Sequence, residues 1–319
     1  MAATRLVDVI VPEVFAPYTV QRSAELSVLA QSGLLTTNAT LQGMINGGGS
    51  TYNLPFFNDL SGSDELIEDG TAITVNNITT DQQIGVALAR AKAWGSSFLA
   101  QYVSGEDPMA VIGDLVAQYW VRREQDTVLS ILSGLFGAGG PLTQASHSHV
   151  NAQGTTAIDN DMMIDTVKLL GDAYGKVSTI VCHSHIYHAL RKLDLVQYVN
   201  EPSGLNLNQP TYMGMRILVD DGVPESGGSY TTYVFAPGAI MYANANLDAQ
   251  DAVEVDRDSL RSEDVLINRK RCIYHPVGFK WSGTATGATP TNAELGAAGS
   301  FTAVYESKNI PMVALTSGV

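Results

Sequence analysis

Residues 107–136 read DPMAVIGDLVAQYWVRREQDTVLSILSGLF. Asp107 is placed to cap a helix, and Pro108 takes the first helical position, where its missing N–H costs nothing. Ile112, Leu115, Val116, Tyr119 and Trp120 recur at helical spacing, and Leu129, Leu132, Leu135 and Phe136 repeat it further on. Gly137 and the Gly139-Gly140-Pro141 run stop it. At 1.5 Å per residue this is a rod of roughly 43 Å. Its centre, Arg122-Arg123-Glu124-Gln125-Asp126, is charged, which suits a strut more than a core element.

Upstream of the rod the chain changes character twice. Val9-Ile10-Val11-Pro12 and an amphipathic stretch from Ser23 to Ser32 read as an N-terminal arm. Gly47-Gly48-Gly49-Ser50 reads as a hinge. Thr51–Phe57 is predicted as a strand and 73–79 as its return, which makes a long β-hairpin around a polar, acidic turn. Asp59, Asp64, Glu65, Glu68 and Asp69 lie there, and no Lys or Arg occurs from Ser23 to Ala89. Charge of one sign on a protruding hairpin calls for a complementary partner; the alternative is a solvated loop. Downstream, 141–158 is predicted as a loop and 161–174 as a helix. A strand at 177–182 and a short helix at 184–193 follow. Further strands are expected at 215–219, 230–236, 252–257, 265–274 and 302–305, with an extended loop over 282–300. The fold class is α+β with mixed or antiparallel sheets.

The 319 residues are 45% hydrophobic and only 16% charged, with a net charge of −14. A protein that grips nucleic acid through phosphates needs a basic stripe, and acidic residues here outnumber basic ones 32 to 18. Cys182 and Cys272 sit in apolar stretches and read as reduced core thiols. The opening residues lack the basic and long apolar regions of a signal peptide, and no apolar run reaches membrane-spanning length, so a cytosolic product is expected.

Chemistry finds few candidates. Cys182-His183-Ser184-His185-Ile186-Tyr187-His188 is the one possible metal site, because zinc takes three or four converging N/S ligands. A metal-dependent enzyme using His183, His185 and His188 is the reading of another class. The alternative is that His183 and Ser184 cap a helix and His188 lies on its surface. Gly171 to Lys176 has three residues between its glycines where a phosphate loop has four, and Val177 follows where Ser or Thr would hold magnesium. Neither a cofactor nor catalysis is expected. In the acidic stretch from Asp248 to Asp264, the run Glu254-Val255-Asp256-Arg257-Asp258 alternates as a strand with one charged face. Inter-subunit ion pairs are the preferred reading for Glu254, Asp256, Arg257 and Asp258, ahead of a solvated face or a bound cation.

The ordered elements resemble the tailed-phage major capsid (coat) proteins, whose fold is shared with encapsulin shells and the herpesvirus capsid floor. The resemblance rests on Asp8 to Phe15, Glu25-Leu26-Ser27 and Gln31-Ser32-Gly33 at the start. Thr179 to Ser184 with Leu190-Arg191-Lys192, Val219 to Pro224, and Tyr233 to Ile240 carry it through the middle. Pro290 to Leu295 and Tyr305 to Pro311 carry it to the end. It implies an N-terminal arm (1–42), an extended hairpin loop (43–82) lying over a neighbour, a peripheral domain (83–141) with a spine helix at about 108–136, an axial domain (142–262), and strands returning to the peripheral domain (263–319). It further implies self-assembly into pentamers and hexamers of an icosahedral shell around double-stranded DNA, in a virion assembled in the bacterial cytoplasm. Scaffolding, portal and decoration proteins would be further partners, DNA would be touched only nonspecifically, and no membrane is involved. An encapsulin-like compartment is the alternative. Within this picture Asp64, Glu65, Glu68 and Asp69 are expected to meet Arg122 or Arg123 of a neighbour.

Some capsids of this fold cross-link covalently through a lysine on the extended loop and an asparagine on a neighbour. Here the hairpin has no lysine, so the shell is expected to be held without that bond. Mature particles boiled in SDS should run as a single subunit band; a boiling-resistant ladder contradicts this.

Overall fold

The computed structural model describes residues 33–60, 62–67, 69–70, 72–105, 108–198, 209–246 and 252–319. Residues 1–32 of the expected N-terminal arm and the Asp107 cap lie outside them; the rest of the arm pairs Leu35–Thr37 in parallel with Ile240–Asn244 and opens the helix Ala39–Asn46. The long helix spans Pro108–Phe136. Its two halves live in different surroundings. In the second half Val128, Ile131, Leu132 and Leu135 are at most 1% exposed. In the first half Ile112, Leu115, Val116, Tyr119 and Trp120 are only half-buried.

Two eight-stranded sheets flank this helix. The first runs in the order Leu35–Thr37, Ile240–Asn244, Glu263–Pro276, Thr80–Ser97, Phe279–Trp281, Phe301–Ala303, with Val253–Asp258 beside Glu263–Pro276 and Thr51–Phe57 beside Thr80–Ser97. The second runs Val150–Ala157, Met312–Gly318, Ser229–Phe235, Thr179–Cys182, Met215–Val219, Pro210–Tyr212, Gln197–Tyr198, with Glu225–Ser226 beside Ser229–Phe235. Strand alternation gives the second sheet two buried faces. Val181, Tyr233, Phe235, Met312 and Ala314 join the core around the long helix, which also holds Leu88, Phe279 and Trp281 of the first sheet. Ile180, Val234, Val313 and Leu315 face the other way, under Asn160–Lys168 and Ser184–Lys192. Thr179–Cys182 pairs in parallel with Met215–Val219, and helix Ser184–Lys192 lies in the crossover between them, as parallel pairing requires.

Several expected elements move. The return strand of the hairpin starts at Thr80 and not at 73: the register runs from Phe57↔Thr80 to Thr51↔Val86. Ile73, Val75 and Ile78 imitate strand alternation, yet they are 66%, 87% and 54% exposed and carry no ladder. The expected loop at 141–158 contains the strand Val150–Ala157, whose uncharged polar residues show no apolar rhythm and which pairs in parallel with Met312–Gly318. The expected 161–174 helix divides into Asn160–Lys168 and a 3₁₀ turn at Gly171–Lys176. The expected loop at 282–300 holds a short helix, Asn292–Leu295, with a capping box between Thr291 and Glu294. Glu294 also accepts from the Thr286 hydroxyl and from the Thr286 amide (2.8 Å), and the Thr286 hydroxyl together with the Thr291 and Thr286 amides holds its carboxyl down at about 2. Strand Val253–Asp258 pairs with Glu263–Pro276 in the first sheet, and Met312–Gly318 pairs with Ser229–Phe235 in the second. Cys182 and Cys272 are buried free thiols, and burial pushes Cys182 up to about 12.

The short helix packs backbone to backbone against the long one at Gly134, where a Cβ would lie far inside contact distance of the Leu295 carbonyl oxygen. Ala in place of Gly ordinarily strengthens an exposed helix by about 1 kcal/mol. Here Gly134→Ala should instead destabilise by about 1–3 kcal/mol, the scale of core overpacking. Urea unfolding of the two chains measures it, and a neutral or stabilised variant contradicts the close approach.

Candidate functional site

The hairpin leaves the body between strands Thr51–Phe57 and Thr80–Ser97, and one buried side chain organises its root. Gln83 is 5% exposed. Its Oε1 accepts from the Gly278 amide (2.9 Å) and from His275 Nε2 (3.1 Å), and its Nε2 donates to the Tyr305 hydroxyl (2.8 Å). Tyr305 in turn meets Phe56 edge to face, with ring centroids 4.9 Å apart. The glycine hinge is also pinned. Gly48 and Gly49 hold φ of +90° and +96°, and the Gly49 carbonyl accepts from Arg271 (2.5 Å) and from the Tyr52 hydroxyl (2.9 Å).

Beyond the root the described residues of the hairpin have few ties of their own. Asn58 donates its amide to the Thr79 carbonyl (2.9 Å), and Thr74 donates its amide to Glu65 (3.0 Å). The latter bond holds the Glu65 carboxyl below its usual range. Asp64, Glu65 and Asp69 are exposed and join none of the ion pairs among the described residues; Glu68 lies outside the described residues. Sequence reasoning followed the charge here and missed the apolar side chains. Leu60, Leu66, Ile67 and Val75 are 80–90% exposed. The signal was present as apolar residues in a segment with too little chain around it to bury them.

The two arginines expected to answer these carboxylates differ. Arg123 is engaged within its own helix, 2.8 Å from Asp126 and 5.8 Å from the Tyr119 ring centroid. Arg122 joins no ion pair among the described residues and lines a groove of about 310 Å³ with Trp94, Ile112, Leu115, Val116 and Tyr119. The groove is the half-buried apolar face of the long helix.

The charged strand satisfies itself in part. Glu254 pairs with Arg269 (2.9 Å), Arg257 with Asp264 (3.8 Å) and Asp258 with Arg261 (3.7 Å). Such exposed pairs contribute about 0–1 kcal/mol each. Asp256 is exposed between them.

The histidines form an aromatic cap. His183 Nδ1 accepts from the His185 amide (3.2 Å) at the start of helix Ser184–Lys192, and both rings lie against Tyr230, with centroids 4.8 and 5.4 Å away. Asp221 accepts from the Ser184 amide (3.0 Å), and the Ser184 hydroxyl, with this amide, lowers its carboxyl. His188 is exposed on the helix. Among the described residues no three His, Cys, Asp or Glu side chains converge as a metal site needs. No helix among them is long and apolar enough to cross a membrane.

Residues 48–311 match the Gp13-like family, described as major capsid protein 13-like. The major capsid protein of Bacillus phage SPP1 is 36% identical over 321 residues, 98% of each chain. Among solved structures, the cyanophage Pam1 capsid asymmetric unit matches with a TM-score of 0.62 at 9% identity over 96% of both chains. The SrpI encapsulin complex of Synechococcus elongatus PCC 7942 matches at 0.55 and 10% identity, over 95% of this chain and 91% of that one. Both share the fold.

Burial lowers the His275 imidazole to about 4 from an ordinary 6.5. Between these values the unfolded chain binds the proton and the folded chain does not, so stability present above about 6.5 is lost as pH falls towards 4. The window corresponds to something on the order of 3 kcal/mol. Buried His149, also lowered, chiefly by burial, acts in the same direction. Unfolding free energy measured across this range should fall less steeply in His275→Asn than in the wild-type chain. Identical slopes contradict the assignment.

Proposed function

The chain belongs to the major capsid protein 13-like family, and from that premise we propose that its copies join by laying the acidic, apolar-tipped hairpin of one subunit along the Arg122 groove of the next. It is the major capsid protein of a tailed phage, a shell component. The observation that carries the contact is the absence of a partner at both ends. Among the described residues Asp64, Glu65 and Asp69 have no cation and Leu66 and Ile67 have no cover, while Arg122 has no carboxylate and its apolar groove is half open. Exposed apolar groups with complementary charge around them fit an interface core and rim.

In this reading the first sheet and the long helix form the peripheral part of the subunit, and the second sheet forms the axial part. Pentamers and hexamers of one fold require the hairpin and arm to adopt slightly different settings. Each contact can be weak, because a closed shell repeats it many times. Glu254, Asp256, Arg257 and Asp258 lie on an exposed face available to a neighbour, with the intrachain pairs ready to exchange. A net charge of −14 supports a wall that contains packaged double-stranded DNA without gripping it. Scaffolding, portal and decoration proteins, and assembly in the host cytoplasm, belong to the same proposal. The likeness to an encapsulin extends to the fold, and the family favours the phage shell over a cargo compartment.

Charge exchange tests the contact. Replacing Glu65 and Asp69 by Lys should lower particle yield severalfold, and Arg122→Glu added to the same chain should restore part of it. Unchanged yield and particle melting in the Lys variant, or no recovery in the combined one, would sink the pairing.

A further inference from the structure

In the antiparallel register of Thr80–Ser97 against Glu263–Pro276, Arg90 stands directly opposite Lys270. Like charges at facing positions repel. Both line a cavity of about 100 Å³ roofed by Trp120, Arg123, Glu124 and Thr127 of the long helix. Glu124 pairs with Lys270, and Arg123 is 2.8 Å from Asp126. Arg90 meets only neutral acceptors among the described residues: the Pro290 carbonyl (2.6 Å), and Asn292 Oδ1, Thr289 Oγ1 and the Ala89 carbonyl (3.3 Å each). Of the cavity's three cations, Lys270 is paired with Glu124 and Arg123 with Asp126, which is not part of the lining, so Arg90 is left half-buried without a carboxylate.

Burial lowers the Lys270 amine despite the carboxylate beside it. Water cannot compensate the leftover charge, and the space holds more than a single water, which needs only about 10–15 Å³.

We propose that this cavity between the long helix and the first sheet binds one small inorganic oxyanion of the phosphate or sulfate type, held by Arg90 and Lys270. The anion separates the two facing cations and ties the two strands together. A tetrahedral oxyanion suits the site because its acceptors diverge towards both cationic side chains, and charge-assisted hydrogen bonds are the stronger kind.

The full-length chain is melted in phosphate and in chloride at matched ionic strength, beside Arg90→Gln and Lys270→Met. Phosphate should raise the wild-type Tm saturably by about 2 °C or more, and each variant should lose at least half of that rise. Phosphate also strengthens apolar burial without binding, so an equal rise in all three chains overturns the site. Should a variant fail to fold, titration calorimetry of phosphate into the wild-type chain decides. A saturable one-to-one isotherm supports the site, and heat of dilution alone overturns it.

Discussion

The two sheets meet through one row of side chains on the second half of the long helix. Val128, Ile131, Leu132 and Leu135 sit where strands of both sheets converge, together with Tyr233 and Phe235 from one and Leu88 and Phe279 from the other. Fully burying such a side chain contributes about 1.5–3 kcal/mol, and these residues belong to both sheets at once. The relative setting of the sheets is thus a property of this helix. Gly134 adds a further constraint, because the Asn292–Leu295 helix reaches it backbone to backbone. The first half of the same helix has no such cover, and its apolar face is left for something else.

That division of labour explains which parts were legible in the sequence. The 108–136 helix announces itself because cap, period and stop signals agree over 29 residues. Strand Met215–Val219 is equally plain, since an apolar run is bounded by turn residues. Strand Val150–Ala157 is invisible for a physical reason: it exists because Met312–Gly318 offers it a ladder, and its own side chains are mostly exposed and polar. The start of the return strand at Thr80 is hidden in the same way, behind Asp81, Gln82 and Gln83, while the exposed Ile73 and Val75 imitate a strand they do not form.

The candidate surfaces were legible as charge but not as geometry. A run without Lys or Arg marks the hairpin as needing a partner, and the resemblance carried by the ordered motifs supplied the family. Neither shows that Arg123 is occupied by Asp126 while Arg122 opens onto a groove. Nor could spacing show that Glu254, Arg257 and Asp258 find partners across the turn into the next strand. The histidines illustrate the converse, a suggestive cluster in one dimension that resolves into a helix cap stacked on Tyr230.

The buried Gln83 amide has a mechanical consequence. It clamps the hairpin where the strands leave the body, at His275, Gly278 and Tyr305, whereas the chain beyond Phe57 is barely cross-tied. From Gln83 out to Ile67 is sixteen residues, an extended reach of at most ~55 Å. Over that reach a tilt of about 5° at the root would carry the end by ~5 Å. A root held this firmly and an outer chain tied this loosely would let the hairpin meet a neighbour at different settings while the interior of the subunit keeps its packing.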